Sequence, residues 1–337
     1  MQKRWQTLKE CLEGCVEILI LLHDDPDPDA VACGEALRFL LSEQLGLRGR
    51  IAYRGVIGRA ENRALVEFLA PEMDTLPEDE APQRRPGEAV ALLDTQPGAG
   101  NSPIPADYDV DVVIDHHSER ENGAGHYRDV RPWIGALATI LTQYLQVAGL
   151  KPTMRVATAL FYGIKTDTKA LSRDTSAADI AAYFYLLEFV DVDALVKIEN
   201  AQVPAGYFKS LTTAMQTARV YNGVVFSYLG QSDYPDLTAE VADLLLRLEG
   251  VTWVVCMGAY EEQLYLSVRA RTNEVDAEEL AQVIIGEKGT AGGRNTLAGG
   301  QMPLNGANAD EVVDTIRTRT LSYLQVPSNV EARPLVP

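Results

Sequence analysis

The chain has 337 residues, enough for two domains rather than one. Hydrophobic residues make up 46% and charged residues 23%, the balance of a soluble protein with real cores, and no apolar run is long enough for a membrane helix. A net charge of −18 argues against the basic stripe with which proteins grip long DNA or RNA, but not against a small phosphate substrate, because bound cations invert the local field.

Residues 1–10 are polar and mixed in charge, unlike a signal peptide, so the cytoplasm is the expected compartment. Residues 16–22 read as a buried strand that ends in a cluster of acids, and 30–45 have helical periodicity. A second strand is expected at 50–54 and a helix at 61–69. Strands at 89–93 and 110–114 end on Asp94 and Asp115. Helices follow at 134–147, 153–163 and 176–189. Alternating short apolar strands and amphipathic helices indicate a parallel α/β sheet, in which ligands bind beyond the carboxyl ends of the strands. His23, Asp94 and Asp115 all fall at such ends.

Residues 191–206 read as a partly helical connector between a first domain, 1–190, and a smaller α/β domain, 207–330. That domain should hold helices at 207–219, 239–248, 277–285 and 309–324. Asn222-Gly223 is a turn signal before a strand at 224–229. Hairpin-type strands are expected at 251–258 and 263–270, a Gly-rich loop at 286–300 and a frayed Pro-rich tail at 326–337. The four cysteines, Cys11, Cys15, Cys33 and Cys256, lack the further ligands a zinc site needs and read as free thiols.

Four segments carry chemistry. In His23-Asp24-Asp25-Pro26-Asp27-Pro28-Asp29, four acids lie too close together to be packed core. They form either a solvated loop, with Asp29 capping the next helix, or a cation site. Asp94 alone is weak evidence. Asp115-His116-His117 is stronger, because the chain has only four histidines and an adjacent carboxylate fixes the tautomer of a ligating imidazole. Thr166-Asp167-Thr168 ends a helix and is either a cap or a late carboxylate ligand. About two imidazoles and four carboxylates suit Mn²⁺, with Mg²⁺ the alternative, rather than structural zinc, and two such ions can clamp a phosphoryl group.

This order of motifs resembles the DHH phosphoesterase superfamily, whose members include RecJ nucleases, nanoRNase/pAp phosphatases, cyclic-dinucleotide phosphodiesterases and family II pyrophosphatases. The likeness covers roughly residues 16–190 and implies a parallel-sheet DHH domain. It implies a pair of metal ions, expected to be Mn²⁺, held by His23, Asp27, Asp29, Asp94, His116 and Asp167, with Asp94 bridging. His117 would face the substrate phosphate and Asp115 would orient the histidine pair. Pro28 stands where many members have Gly.

The smaller domain looks like the DHH-associated substrate-binding domain. Ser267-Val268-Arg269 matches its Ser-x-Arg strand, and the loop containing Gly292, Gly293 and Arg294 resembles its Gly-Gly-Gly-His loop, with Arg294 in place of the His. An Arg still binds phosphate bidentately and stacks on a base. The resemblance implies phosphoester hydrolysis between the two domains, on short oligonucleotides, pAp-like nucleotides or cyclic dinucleotides, without long duplexes or membranes as partners and with a homodimer left open. Pyrophosphate or polyphosphate hydrolysis is one alternative, disfavoured by the few lysines near the motifs. A nucleotide sensor without catalysis, motivated by Arg294, is the other.

Overall fold

The computed structural model describes residues 1–69, 71–77, 80–120, 124–271, 276–294, 296–327 and 329–336, with the side chain of Arg294 outside that description. The chain divides into two compact units, Met1–Ala201 and Gln202–Pro337.

In the first unit β1 (Glu17–Leu21), β2 (Arg48–Tyr53), β3 (Met73–Thr75), β4 (Glu88–Leu93), β5 (Val112–Asp115) and β6 (Tyr127–Val130) form one sheet in the order β3-β2-β1-β4-β5-β6. Every neighbouring pair is parallel. β4 and β5 are buried along their whole lengths, which is why they read as unbroken apolar runs and not as alternation. Ile18 and Ile20 of β1 face one core with Ala89 and Ala91 of β4, while Leu19, Leu21, Val90 and Leu92 face the other.

The helices are α1 (Gln2–Cys11), α2 (Pro28–Leu45), α3 (Ala60–Leu69), α4 (Leu137–Val147), α5 (Met154–Asp167), α6 (Ala177–Leu187) and α7 (Val192–Glu199). α2 packs on α4 and α5 and ends at Gly46, whose φ of 68° supplies the left-handed C-cap. In the stretch read as a connector, α7 packs on α3 and α5. The strand order reverses between β1 and β4, the switch point beyond whose carboxyl ends sheets of this kind bind ligands.

The second unit holds a seven-stranded sheet: β7 (Arg219–Tyr221), β8 (Val224–Gln231), β9 (Trp253–Tyr260), β10 (Gln263–Ala270), β11 (Thr290–Arg294), β12 (Leu297–Pro303) and β13 (Arg333–Pro334). They are ordered β11-β12-β10-β9-β8-β7-β13, and β8–β9 is the parallel pair. α10 (Ala277–Ile285) and α11 (Ala309–Tyr323) share a core on one face; α8 (Ala205–Thr217) and α9 (Leu237–Leu245) share one on the other.

Two expectations are corrected. The Gly-rich segment is a β-hairpin, with Gly292 paired to Gly299 and Gly293 to Ala298. A Cβ on Gly293 would lie 2.5 Å from Ala298 Cα, so the strands approach this closely only because glycine is there. The tail is anchored at its end, where β13 pairs with β7. Among the described residues, no helix is long and apolar enough to cross a membrane.

Candidate metal centre

The first acidic segment is built by strand and helix ends. β1 stops before His23, whose Nδ1–H donates to Asp24 O at 2.7 Å. That bond fixes the tautomer and leaves Nε2 facing Asp27 Oδ1 at 3.7 Å and Asp94 Oδ2 at 3.8 Å. Asp27 is the N-cap of α2 and accepts from Ala30 N at 3.0 Å. The capping role expected of Asp29 thus belongs to Asp27. Asp29 lies in the first turn, fully buried, and its two oxygens accept from Leu137 N (2.6 Å) and Ala138 N (2.9 Å) at the start of α4. A helix N-terminus is a natural seat for that carboxylate.

Asp94 follows β4 with φ of 61°, a conformation that costs energy for a residue with a side chain. Its backbone remains in the ladder through Asp94 N donating to Ile114 O at 3.1 Å. β5 delivers Asp115, His116 and His117. Asp115 Oδ1 accepts from His116 N (2.8 Å), His117 N (3.2 Å) and His117 Nδ1 (2.8 Å). Asp167 ends α5, where Lys169, Ala170 and Leu171 all have positive φ. That left-handed turn is closed by Ala170 N donating to Lys165 O at 2.8 Å, and Arg173 Nη2 donates to Asp167 O at 2.9 Å.

These residues form three overlapping groups whose donor atoms lie within 4.8 Å of one another: Asp94, His116 and His117; His23, Asp27 and Asp94; Asp29, His116 and Asp167. His116 Nε2 lies 3.2 Å from Asp94 Oδ1 and 3.4 Å from Asp167 Oδ2. The structure therefore brings together all six residues expected as ligands. Asp27 and His117, with side chains 40% and 43% exposed, open the cluster to solvent. His126, the fourth histidine, lies outside it, near Asp109 and Asp111.

The electrostatics are those of crowded acids. Burial would lower the His23 pKa, but the hydrogen bond and charge of Asp27 and the charge of Asp94 outweigh it and raise it to about 10. Burial likewise opposes charge on Asp27, yet His23 holds that carboxyl well below its usual range. Burial and then the charges of Asp94 and Asp27 push Asp29 well above its own. Asp115 is lowered because His117, and next His116, outweigh the burial penalty. Asp94 Oδ1 is buried with no hydrogen-bond partner among the described residues. A buried carboxylate oxygen left so, among further acids, fits a bound cation, and a donor set rich in oxygen with imidazole fits Mn²⁺ or Mg²⁺.

Three contributors escape a reading of the sequence. Cys33 Sγ lies 3.6 Å from Asp29 Oδ1, and burial raises its pKa well above the usual thiol value. Gly163 leaves room for Asp29, since a Cβ there would meet Asp29 Oδ1 at 2.7 Å. Gln96 holds Asp115 Oδ2 at 2.7 Å. A buried thiol, a helix glycine and an amide carry no spacing signal of their own.

In the second unit Ser267 and Arg269 lie on β10, and Gly292 and Gly293 on β11, with β12 between them. Ser267 is buried against Cys256 and Gly299 in the ladder. Arg269 is 8% exposed; its Nε donates to Asp243 Oδ1 at 3.0 Å and its Nη1 to Val268 O at 3.0 Å.

The DHHA1 domain family matches residues 222–320, the region of this second sheet. The bifunctional oligoribonuclease and PAP phosphatase NrnA of Thermus thermophilus is 25% identical over 303 residues, covering 89% of this chain and 87% of its own length. The second unit thus carries a DHHA1 match, and the chain as a whole is similar to a DHH phosphoesterase. An uncharacterized protein of Methanocaldococcus jannaschii is 34% identical over 289 residues, 85% of this chain, but the chain spans only 58% of that relative's length. An exopolyphosphatase-related protein from Bacteroides fragilis shares the fold, with a TM-score of 0.72 at 15% identity over 96% of this chain and 97% of that one.

Proposed function

We propose that this protein is a metal-dependent phosphoric ester hydrolase acting on short oligonucleotides or small nucleotides of the pAp kind. The observation that carries the reading is the convergence of three donor groups, sharing Asp94 and His116, beside the switch point of a parallel sheet. His23, Asp27, Asp29, Asp94, His116 and Asp167 are the proposed holders of two Mn²⁺ ions. Bound there, the ions supply positive charge to phosphoryl oxygens and make water more acidic.

The remaining work falls to protein groups. His117 Nδ1–H donates to Asp115 Oδ1, which orients the ring. Nε2 is the nitrogen proposed to donate to a phosphoryl oxygen or to protonate the leaving oxygen. The DHHA1 match makes the second unit the proposed source of substrate contacts, through Ser267, Gly292, Gly293 and Arg294, with Nη2 of Arg269 as that side chain's remaining donor. The name of the Thermus relative and the net charge of −18 both favour short substrates over long polymers.

The test is hydrolysis of pAp, dinucleotides and cyclic di-AMP by protein loaded with Mn²⁺. Turnover of at least one, lost on chelation, is the expected result. No turnover by fully loaded protein would sink the proposal, and orthophosphate released from pyrophosphate alone would replace it with pyrophosphatase activity.

A further inference from the structure

Gln96 follows two residues after Asp94 and is 2% exposed. All four of its hydrogen-bonding directions are used. Nε2 donates to Asp115 Oδ2 at 2.7 Å and to Ser118 O at 3.0 Å. Oε1 accepts from Arg120 N at 3.0 Å and from Arg128 Nη2 at 3.2 Å. Acceptors therefore surround the nitrogen and donors surround the oxygen. Exchanging the two ends would set like against like four times, so the orientation of the carboxamide is fixed. Asn is one methylene too short to bridge these partners, and Glu cannot donate.

We propose that Gln96 is the positioning residue for His117, acting through Asp115. The two oxygens of Asp115 have separate partners, with Oδ2 tethered by Gln96 and Oδ1 accepting His117 Nδ1 at 2.8 Å. With Oδ2 held, rotation of the carboxylate is blocked, and Oδ1 keeps the imidazole turned so that Nε2 points away from Asp115. The same amide pins the backbone that follows His117 at Ser118 O and Arg120 N. Ring and loop are thus set by one buried group whose hydrogen bonds all go to protein atoms. The inference rests on the role proposed for His117.

The experiment compares Gln96→Met, which keeps the volume and removes donor and acceptor, with Gln96→Glu, which keeps the acceptor and turns a carboxylate against Asp115. The readout independent of activity is the hydrogen-bonded Nδ1–H proton of His117, observed by NMR in protein with ¹⁵N-labelled histidine and assigned with His117→Gln; only four histidines compete. Both variants should lose that signal and roughly 10–100-fold in kcat, with KM and Mn²⁺ affinity within about twofold of the parent. If Gln96→Glu does not fold, Gln96→Met with an unshifted melting temperature decides. A signal that persists in the folded variant overturns the proposal, as does a kcat loss matched by loss of metal affinity. Were the parent protein to hydrolyse no phosphoester, the proposed function would fail while the His117 signal still judged Gln96.

Discussion

The acidic cluster of the first unit and the arginines of β10 in the second treat buried charge in opposite ways. In the first, Asp27, Asp29 and Asp94 converge on imidazoles and backbone amides, and among the described residues no Lys or Arg reaches any of the three. In the second, Arg269 is closed onto Asp243, and Arg271 donates to Val251 O and Leu246 O at the end of α9. A carboxylate cluster that lacks lysine and arginine is expensive to bury unless further positive charge joins it, whereas an arginine already neutralised and hydrogen-bonded is part of a scaffold. Charge left for something else to balance marks a site more reliably than charge itself.

The largest expected effect comes from removing one charge at the shared corner of the cluster. Asp94→Asn keeps the volume, and Asn tolerates the φ of 61° at least as well as Asp. Hydrolysis should fall by roughly 10²–10³-fold or more while the melting temperature holds or rises. Calorimetry should show loss of Mn²⁺ uptake; unchanged stoichiometry would break the contrast at its strongest point. Gly163→Ala acts more gently, from outside the cluster. Its Cβ would meet Asp29 Oδ1 at 2.7 Å and Asp29 Cα at 3.1 Å, so the ligand has to shift. Metal affinity should drop about 10–100-fold. Affinity within twofold of the parent would show that Asp29 is not a ligand.

The raised His23 pKa gives the same contrast a pH axis. A cation must displace the proton that His23 carries below about pH 10, so Mn²⁺ uptake should release protons, and apparent affinity should rise by up to about tenfold per pH unit towards that value. The sign for the metal-free protein is opposite. With the folded pKa raised from 6.5 to about 10, the stabilisation is complete below 6.5 and is lost as pH rises through that window. Calorimetry in buffers of different ionisation enthalpy checks the first claim, and melting curves of chelated protein check the second.

The sequence exposes the first unit's site well because the expected ligands fall just past an apolar strand or at the start or end of a helix, where an acid stands out. It says less about roles, since capping and ligation use the same residue type; Asp27 and Asp29 are told apart by their burial and by which backbone amides they meet. β6 is hidden because its Asp129 is buried in a network with Arg131 and Tyr144, a pattern that reads as a polar loop. The β11–β12 hairpin is hidden because glycines carry no alternation. Nothing in Ser267-Val268-Arg269 reveals that Asp243, on another element, will claim the guanidinium.

Arg269→Ala tests the other side of the contrast. As a scaffold residue, its loss removes the ion pair with Asp243 and should cost about 1–3 kcal/mol, less than a fully buried pair because the Asp243 side chain is 31% exposed. Urea unfolding should record that loss with KM changed by less than about threefold. A tenfold rise in KM at unchanged stability would instead make Nη2 a substrate contact.

Arg271→Ala is the smallest perturbation and separates two kinds of structural arginine. Its Nε donates to Val251 O at 2.9 Å and its Nη2 to Leu246 O, the C-cap residue of α9. Among the described residues no carboxylate pairs with it, and the freed carbonyls can turn to water, so the helix-end interaction is what is lost, about 0.5–1 kcal/mol. The order of the two losses matters more than either size. If Arg269→Ala proves no more destabilising than Arg271→Ala, the Arg269–Asp243 pair contributes little to the second unit, and the case for a purely structural Arg269 weakens with it.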